Sequence, residues 1–87
     1  RPITPIHVLV VPNKHIASVN QLDTSNEGLL GHMIMVARAL AFHFHLKESG
    51  YRLVINTGPD AGQSVYHLHL HLIGGEPMPF SFKKRDE

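Results

Sequence analysis

The sequence predicts an α+β domain in which an antiparallel sheet of three strands packs against one long helix. Two β-branched runs and one alternation of histidine and leucine each predict a strand. Between them, apolar residues recur at spacings of three and four, which predicts an amphipathic helix. An eight-residue loop separates the last two strands, and so short a connection favours antiparallel pairing. With 87 residues, the chain is expected to form a single domain over residues 1–87.

Each element follows from a local pattern in chain order. Residues 6–11 predict a first strand that is buried on both faces, because they are nearly all apolar. The helix is expected to begin after the possible N-caps at 23–26 and to end at Gly50, about 24 residues later. Residues 51–56 and 65–73 predict the second and third strands, with a loop at 57–64. Residues 76–87 are expected to form a tail whose charged end, 83–87, is disordered. The predicted apolar helix face consists of Leu29, Leu30, Met33, Val36, Ala37, Leu40, Ala41 and Phe44.

Composition excludes several classes of protein. Apolar residues make up 43% of the chain and charged residues 17%, which is typical of a globular domain. The chain has no cysteine, so it has no disulfide framework, thiolate metal site or thiol nucleophile. A net charge of +1 without a basic stripe argues against a nucleic-acid partner. No apolar stretch approaches the roughly 20 residues of a membrane span, and we expect no signal peptide. We therefore expect no membrane association and a cytoplasmic location.

The most informative stretch is the alternation of histidine and leucine at residues 67–72. Successive side chains of a strand point to opposite faces, so His67, His69 and His71 are expected on one side. The three leucines between and after them, Leu68, Leu70 and Leu72, are expected on the other side, in the core. Imidazoles need hydrogen-bond partners, so three of them on one face indicate a function.

Three interpretations of this face remain open from the residues alone. It could be a polar surface wetted by solvent. It could bind zinc, with His15 or His7 as a further ligand. It could also carry a nucleophilic imidazole, provided that a hydrogen bond to the second ring nitrogen fixes the tautomer. Outside this face, His7 and His32 are expected to be structural, and His43 and His45 to lie on the surface.

The loop before the histidines suits a phosphate group. Gly58 and Gly62 would let the backbone approach a ligand closely, and Asn56, Gln63 and Ser64 offer neutral donors. The loop is not a Walker motif, because glutamine stands where the lysine belongs. Glycine, glutamine and serine alone would be a weak signal, but they stand directly before the three histidines.

These motifs together resemble a known family. Residues 67–73 match the histidine-triad signature, in which three histidines alternate with apolar residues and two apolar residues follow. The residues before them, 62–66, and Gly74-Gly75 after them resemble the HINT branch of nucleoside phosphoramidases in the histidine-triad (HIT) family. The dinucleoside-polyphosphate hydrolases of that family lack the Gly-Gly ending. The resemblance extends from about Pro5 to Phe80.

The resemblance implies a role for each site residue. His69 would attack the α-phosphorus of a purine nucleoside 5′-phosphoramidate, and water would hydrolyse the nucleotidyl-histidine intermediate. His71 would contact phosphate oxygens and protonate the leaving amine, while His67 and His15 would form a supporting proton relay. No metal and no cofactor is implied. The implied phosphate-binding residues are Asn56, Gly62, Gln63 and Ser64.

The resemblance also implies partners and leaves alternatives. A purine nucleotide such as AMP would be the ligand, and two chains would pair through the long helix and a sheet edge. The family's N-terminal hairpin, with the acid that binds ribose, would precede Arg1. We therefore expect this chain to be a fragment that binds nucleotides more weakly than a longer form. The alternatives are a catalytically weak nucleotide-binding scaffold and a dinucleoside-polyphosphate hydrolase.

Overall fold

Residues 5–79 are described by a computed structural model, and residues 1–4 and 80–87, including the predicted disordered end, lie outside the description. The order along the chain is β1 (Ile6–Val10), α1 (Glu27–His43), β2 (Tyr51–Val54) and β3 (Leu70–Gly74). Short 3₁₀ turns lie at Val19–Gln21, Thr24–Asn26 and Pro59–Ala61. The predicted α+β class, with a three-stranded antiparallel sheet and one long helix, is confirmed.

The last strand lies at the centre of the sheet. The strand order is β1-β3-β2, and β3 runs antiparallel to both neighbours. Leu72 is the register partner of Val8 on one side and of Leu53 on the other. His71 is likewise the partner of Leu9 and Val54, on the opposite face because neighbouring residues of a strand alternate. The sheet therefore has one leucine face and one face that carries His71.

The helix packs its predicted apolar face against the leucine face of the sheet. Met33, Ala37 and Ala41 of α1 are buried, and the other predicted residues of that face are partly buried around them. Leu68, Leu70 and Leu72 are buried as the alternation predicted. Two clusters form the core: Val10, Ile16, Met33, Ala37, Leu68 and Leu70 in one, and Ala41, Leu46 and Leu72 in the other.

The helix ends at His43, so the prediction that it continues to Gly50 was wrong. The N–H of His45 donates to the carbonyl of Phe42 at 3.0 Å, and the N–H of Leu46 to that of Ala41 at 2.8 Å. This pair of bonds is the Schellman termination, in which the residue after the C-cap adopts the left-handed conformation. His45 occupies that position with φ of 62°. Glycine usually stands there, so its absence concealed the end of the helix.

Two strand predictions also need correction. The first strand is packed on one face only, because the exposed fractions of Leu9 and Val11 are 46% and 47%. The third strand begins at Leu70, five residues after the predicted start at Val65, since the preceding residues bond elsewhere. The N–H of Leu68 donates to the carbonyl of Ile16 at 2.6 Å instead of joining the sheet. In the part of the chain that is described, no helix is long and apolar enough to cross a membrane.

Candidate active site

His69 lies almost buried at the entrance to β3, with an exposed fraction of 5%. Its Nδ1 atom is 2.7 Å from the carbonyl oxygen of His67. A carbonyl can only accept a hydrogen bond, so Nδ1 carries the proton and Nε2 of the neutral ring carries the lone pair. The buried neighbours Leu68 and Leu70 anchor the backbone on either side. The fold thus presents His69 in the tautomer that a nucleophilic Nε2 requires.

His71 is hydrogen-bonded to His7, a histidine that was expected to be structural. Nε2 of His7 and Nδ1 of His71 are 2.7 Å apart, and the ring centroids are 5.0 Å apart. The sheet register explains this contact, since His7 and His71 are diagonal neighbours on one face of the β1–β3 pair. The alternation within β1 offered a signal for His7, but the register needed to place it beside His71 was unknown.

The remaining histidines extend the same cluster. The rings of His69 and His71 contact each other with centroids 4.9 Å apart. Nε2 of His67 donates to the carbonyl of Pro12 at 3.1 Å, and the His67 ring lies edge-on to His15 at 5.0 Å. The structure therefore brings together all four histidines of the predicted site and adds His7. We call these five residues, His7, His15, His67, His69 and His71, the histidine cluster.

The loop before the cluster has the conformation that its glycines permit. Gly58 and Gly62 have φ of 84° and 86°, in the region that side chains disfavour. Gln63 is buried, and its backbone N–H donates to the carbonyl of Gly58 at 3.0 Å. Asn56 is half-buried, whereas Ser64 is exposed directly after the loop. Each of these residues thus lies in or beside the loop that was expected to bind phosphate.

The other polar groups do not form a metal site within residues 5–79. No group of three or more histidine, aspartate or glutamate side chains among these residues could hold a metal ion.

The remaining titratable side chains lie outside the histidine cluster. His43 and His45 are exposed, as expected, and His32 is exposed on α1. The pKa of Asp23 is lowered by hydrogen bonds from the Ser25 hydroxyl and the Ser25 backbone.

The cavities in the described part of the chain include two of different size. The smaller, of about 360 Å³, borders the histidine cluster at His15. Its lining consists of Lys14, His15, Ile16, Ala17, Gln21, Asp23, Ser25 and Asn26. The larger, of about 790 Å³, lies where β2 begins and β3 ends, and none of the five cluster residues lines it. Of these two cavities, the smaller is the one whose lining includes a residue of the histidine cluster, His15.

Comparisons with known proteins show which family this chain resembles. The family model described as HIT domain matches residues 1–78. A protein from Escherichia coli K12 named purine nucleoside phosphoramidase is 46% identical over 77 residues, which cover 88% of this chain and 65% of that protein. An uncharacterised HIT-like protein from Synechococcus elongatus is 47% identical, with coverage of 88% and 67%. The chain thus spans about two thirds of the length of these relatives.

Solved structures show the same similarity in three dimensions. A HIT family hydrolase from Legionella pneumophila Philadelphia 1 superposes with a TM-score of 0.86 at 44% identity. The match covers 91% of this chain and 70% of that one. A histidine triad protein from Clostridium difficile gives a TM-score of 0.85 at 33% identity, with coverage of 94% and 71%.

Proposed function

This chain belongs to the HIT domain family, and we propose that it is a hydrolase of purine nucleoside 5′-phosphoramidates that acts through His69. The name of the Escherichia coli relative supports this substrate class. The proposed products are a nucleoside monophosphate such as AMP and a free amine. No metal or other cofactor takes part in the proposed reaction.

One observation carries the proposal. The hydrogen bond of 2.7 Å from Nδ1 of His69 to the carbonyl of His67 fixes the tautomer of the ring. An imidazole whose proton is held on Nδ1 has its lone pair on Nε2, which makes Nε2 a nucleophile at neutral pH. A ring that served only as a polar surface group would not need its tautomer fixed by a backbone carbonyl.

The proposed reaction proceeds in two displacements at phosphorus. Nε2 of His69 attacks the α-phosphorus, a P–N bond to the ring forms, and the P–N bond to the amine breaks. His71 acts as the imidazolium: its Nδ1–H donates to Nε2 of His7, and its Nε2–H passes to the leaving nitrogen. This leaves His71 neutral and able to take a proton from the water in the second step. Water then attacks the nucleotidyl-histidine, so that the monophosphate gains the water oxygen and the ring regains its lone pair.

The groups around His69 have supporting roles in this proposal. His67 and His15, whose rings contact each other, form a relay that holds or moves a proton behind the nucleophile. Asn56, Gly62 and Ser64 bind the phosphate group, with backbone N–H groups of the loop as further donors. Removal of one such donor from an acyl or phosphoryl site commonly costs about two orders of magnitude or more in rate.

The proposal also covers the oligomeric state of the protein and its branch of the HIT family. We place the chain in the HINT branch and propose that two copies form a homodimer. β2 is an outer strand of the three-stranded sheet and so offers an edge for pairing. Ile34 and Met35 on α1 have exposed fractions of 41% and 56%, which adds apolar surface suited to a subunit contact.

The direct test is to trap the proposed intermediate. The protein is mixed with adenosine 5′-phosphoramidate, quenched within the first turnover and measured by intact mass. We expect one added adenylyl group per chain, located on His69 by peptide sequencing, and no adduct on His69→Ala. His43→Ala is the matched control, because His43 is exposed at the end of α1.

Two outcomes would contradict the proposal. An adduct on a histidine other than His69 would assign the nucleophile elsewhere, and turnover without any adduct would indicate direct attack by water. Diadenosine polyphosphate is assayed in parallel, because a preference for it would favour the other hydrolase class of the family.

A further inference from the structure

Both amide hydrogens of Gln63 form hydrogen bonds within the protein. Its Oε1 accepts from the N–H of Gly58 at 2.9 Å. Its Nε2 donates to the carbonyl of Ala17 at 2.9 Å and to that of Val65 at 3.2 Å. An amide nitrogen has two hydrogens, so both are used. A phosphate oxygen could bind this amide only by displacing the carbonyl of Ala17 or of Val65, so the amide would gain no additional hydrogen bond.

The bond to Ala17 reaches a segment that matters to the histidine cluster. Residues 15, 16 and 17 each contact a residue between 63 and 68, the stretch that leads into β3. The ring of His15 contacts that of His67. The carbonyl of Ile16 accepts from the N–H of Leu68 at 2.6 Å. The carbonyl of Ala17 accepts from the side chain of Gln63. Of these three links, this is the one made by the 58–63 loop.

From these contacts we infer that Gln63 is a positioning residue rather than a phosphate ligand. Its amide holds the 58–63 loop against residues 15–17 and thereby keeps the ring of His15 in contact with that of His67. The two parts of the site come from distant stretches of the chain, so a buried side chain with three bonds is a means of fixing their relative position. The kinetic part of this inference rests on the proposed function, whereas its structural part does not.

The test compares Gln63→Met with Gln21→Met. Methionine has nearly the same shape as glutamine but forms none of the amide's hydrogen bonds. Gln21 is the other glutamine of the chain, is exposed, and accepts one bond from the hydroxyl of Ser18. If Gln63→Met does not fold, Gln63→Asn replaces it, because asparagine keeps the amide but shortens its reach.

The first measurement is amide hydrogen exchange without ligand. The N–H of Leu68 donates to the carbonyl of Ile16, not to Gln63, so its rate reports whether residues 15–17 have loosened. We expect this amide to exchange about tenfold faster in the Gln63 variant, the equivalent of one lost hydrogen bond. No change is expected in Gln21→Met. An unchanged Leu68 rate in the Gln63 variant would overturn the inference.

The second measurement is a double-mutant cycle with His15→Ala. If Gln63 acts through His15, Gln63→Met lowers kcat about tenfold in the original chain but by less than about twofold beside His15→Ala. A direct phosphate ligand would instead give the same loss in both backgrounds, and that additive result would overturn the inference whatever the exchange shows. If the unmodified protein cleaves no phosphoramidate, the proposed function fails, and the exchange comparison alone decides the role of Gln63.

Discussion

Nε2 of His7 and Nδ1 of His71 lie 2.7 Å apart and join the outer strand β1 to the central strand β3. One of these two nitrogens must carry the proton and the other must accept it, so the protonation of one ring determines that of the other. His71 is buried, whereas His7 is exposed. A change at His7 therefore alters the chemistry of a ring that solvent scarcely reaches.

The first prediction concerns this pair. His7→Leu should lower kcat about tenfold, because the net worth of one hydrogen bond is about 0.5–1.5 kcal/mol. His7→Gln should restore most of the rate, since its amide oxygen can accept from Nδ1–H of His71. Steady-state kinetics on both variants checks this, with thermal unfolding as the control for folding. Equal rates for the leucine and glutamine variants would show that the bond does not contribute.

The second prediction concerns metal. Turnover of a phosphoramidate should survive dialysis against a strong chelator, because the proposed nucleophile is an imidazole nitrogen with a fixed tautomer. The measurement is the rate before and after chelation, with the metal content determined by elemental analysis. Loss of activity that zinc restores would revive the zinc interpretation of the histidine cluster.

The third prediction concerns Gly74 at the end of β3. A Cβ atom there would lie 2.9 Å from Cδ1 of Leu46 and 3.3 Å from the carbonyl oxygen of Gly50. Leu46 is buried, so it has little room to move, and Gly74→Ala should cost about 1–3 kcal/mol of unfolding free energy.

Gly31→Ala is the matched control for that substitution. A Cβ at Gly31 would meet nothing within 4 Å, and the residue is exposed inside α1. Alanine there should stabilise the protein by about 0.5–1 kcal/mol, because glycine is the weaker helix former. Urea unfolding of both variants tests the pair, and equal stabilities would contradict the steric argument at Gly74.

The fourth prediction concerns the residue after the helix. His45 has φ of 62°, a conformation that glycine adopts without a steric penalty. His45→Gly should therefore raise the free energy of unfolding by about 0.5–1 kcal/mol in denaturant titration. Destabilisation would indicate that the imidazole makes contacts that outweigh the backbone strain.

The fifth prediction concerns assembly. If Ile34, Met35 and the β2 edge form a subunit interface, analytical ultracentrifugation should give the mass of a dimer, and Met35→Lys should shift the equilibrium towards the monomer. Asn20→Lys, at an exposed position outside α1, is the control for added charge. A monomeric mass for the unmodified chain would contradict the proposed homodimer.

Local patterns were sufficient for much of the fold. The alternation at residues 67–72 predicted which leucines are buried, and the spacing within 29–41 predicted the helix face, because both follow from backbone periodicity. The end of the helix could not be predicted, since a histidine occupies the left-handed position that usually signals it. The start of β3 was missed because the N–H of Leu68 bonds to Ile16, a partner distant in sequence.

The sequence by itself determined the fold class, the leucine core and the histidine-triad motif, since each follows from a pattern of residues close together in the chain. The tertiary structure decided what those histidines contact. Sheet register placed His7 beside His71, and the path of residues 15–17 brought His15 to His67 and Ala17 to Gln63. Such contacts depend on how separate segments pack, and no periodicity along the chain encodes the register or the path that brings them together.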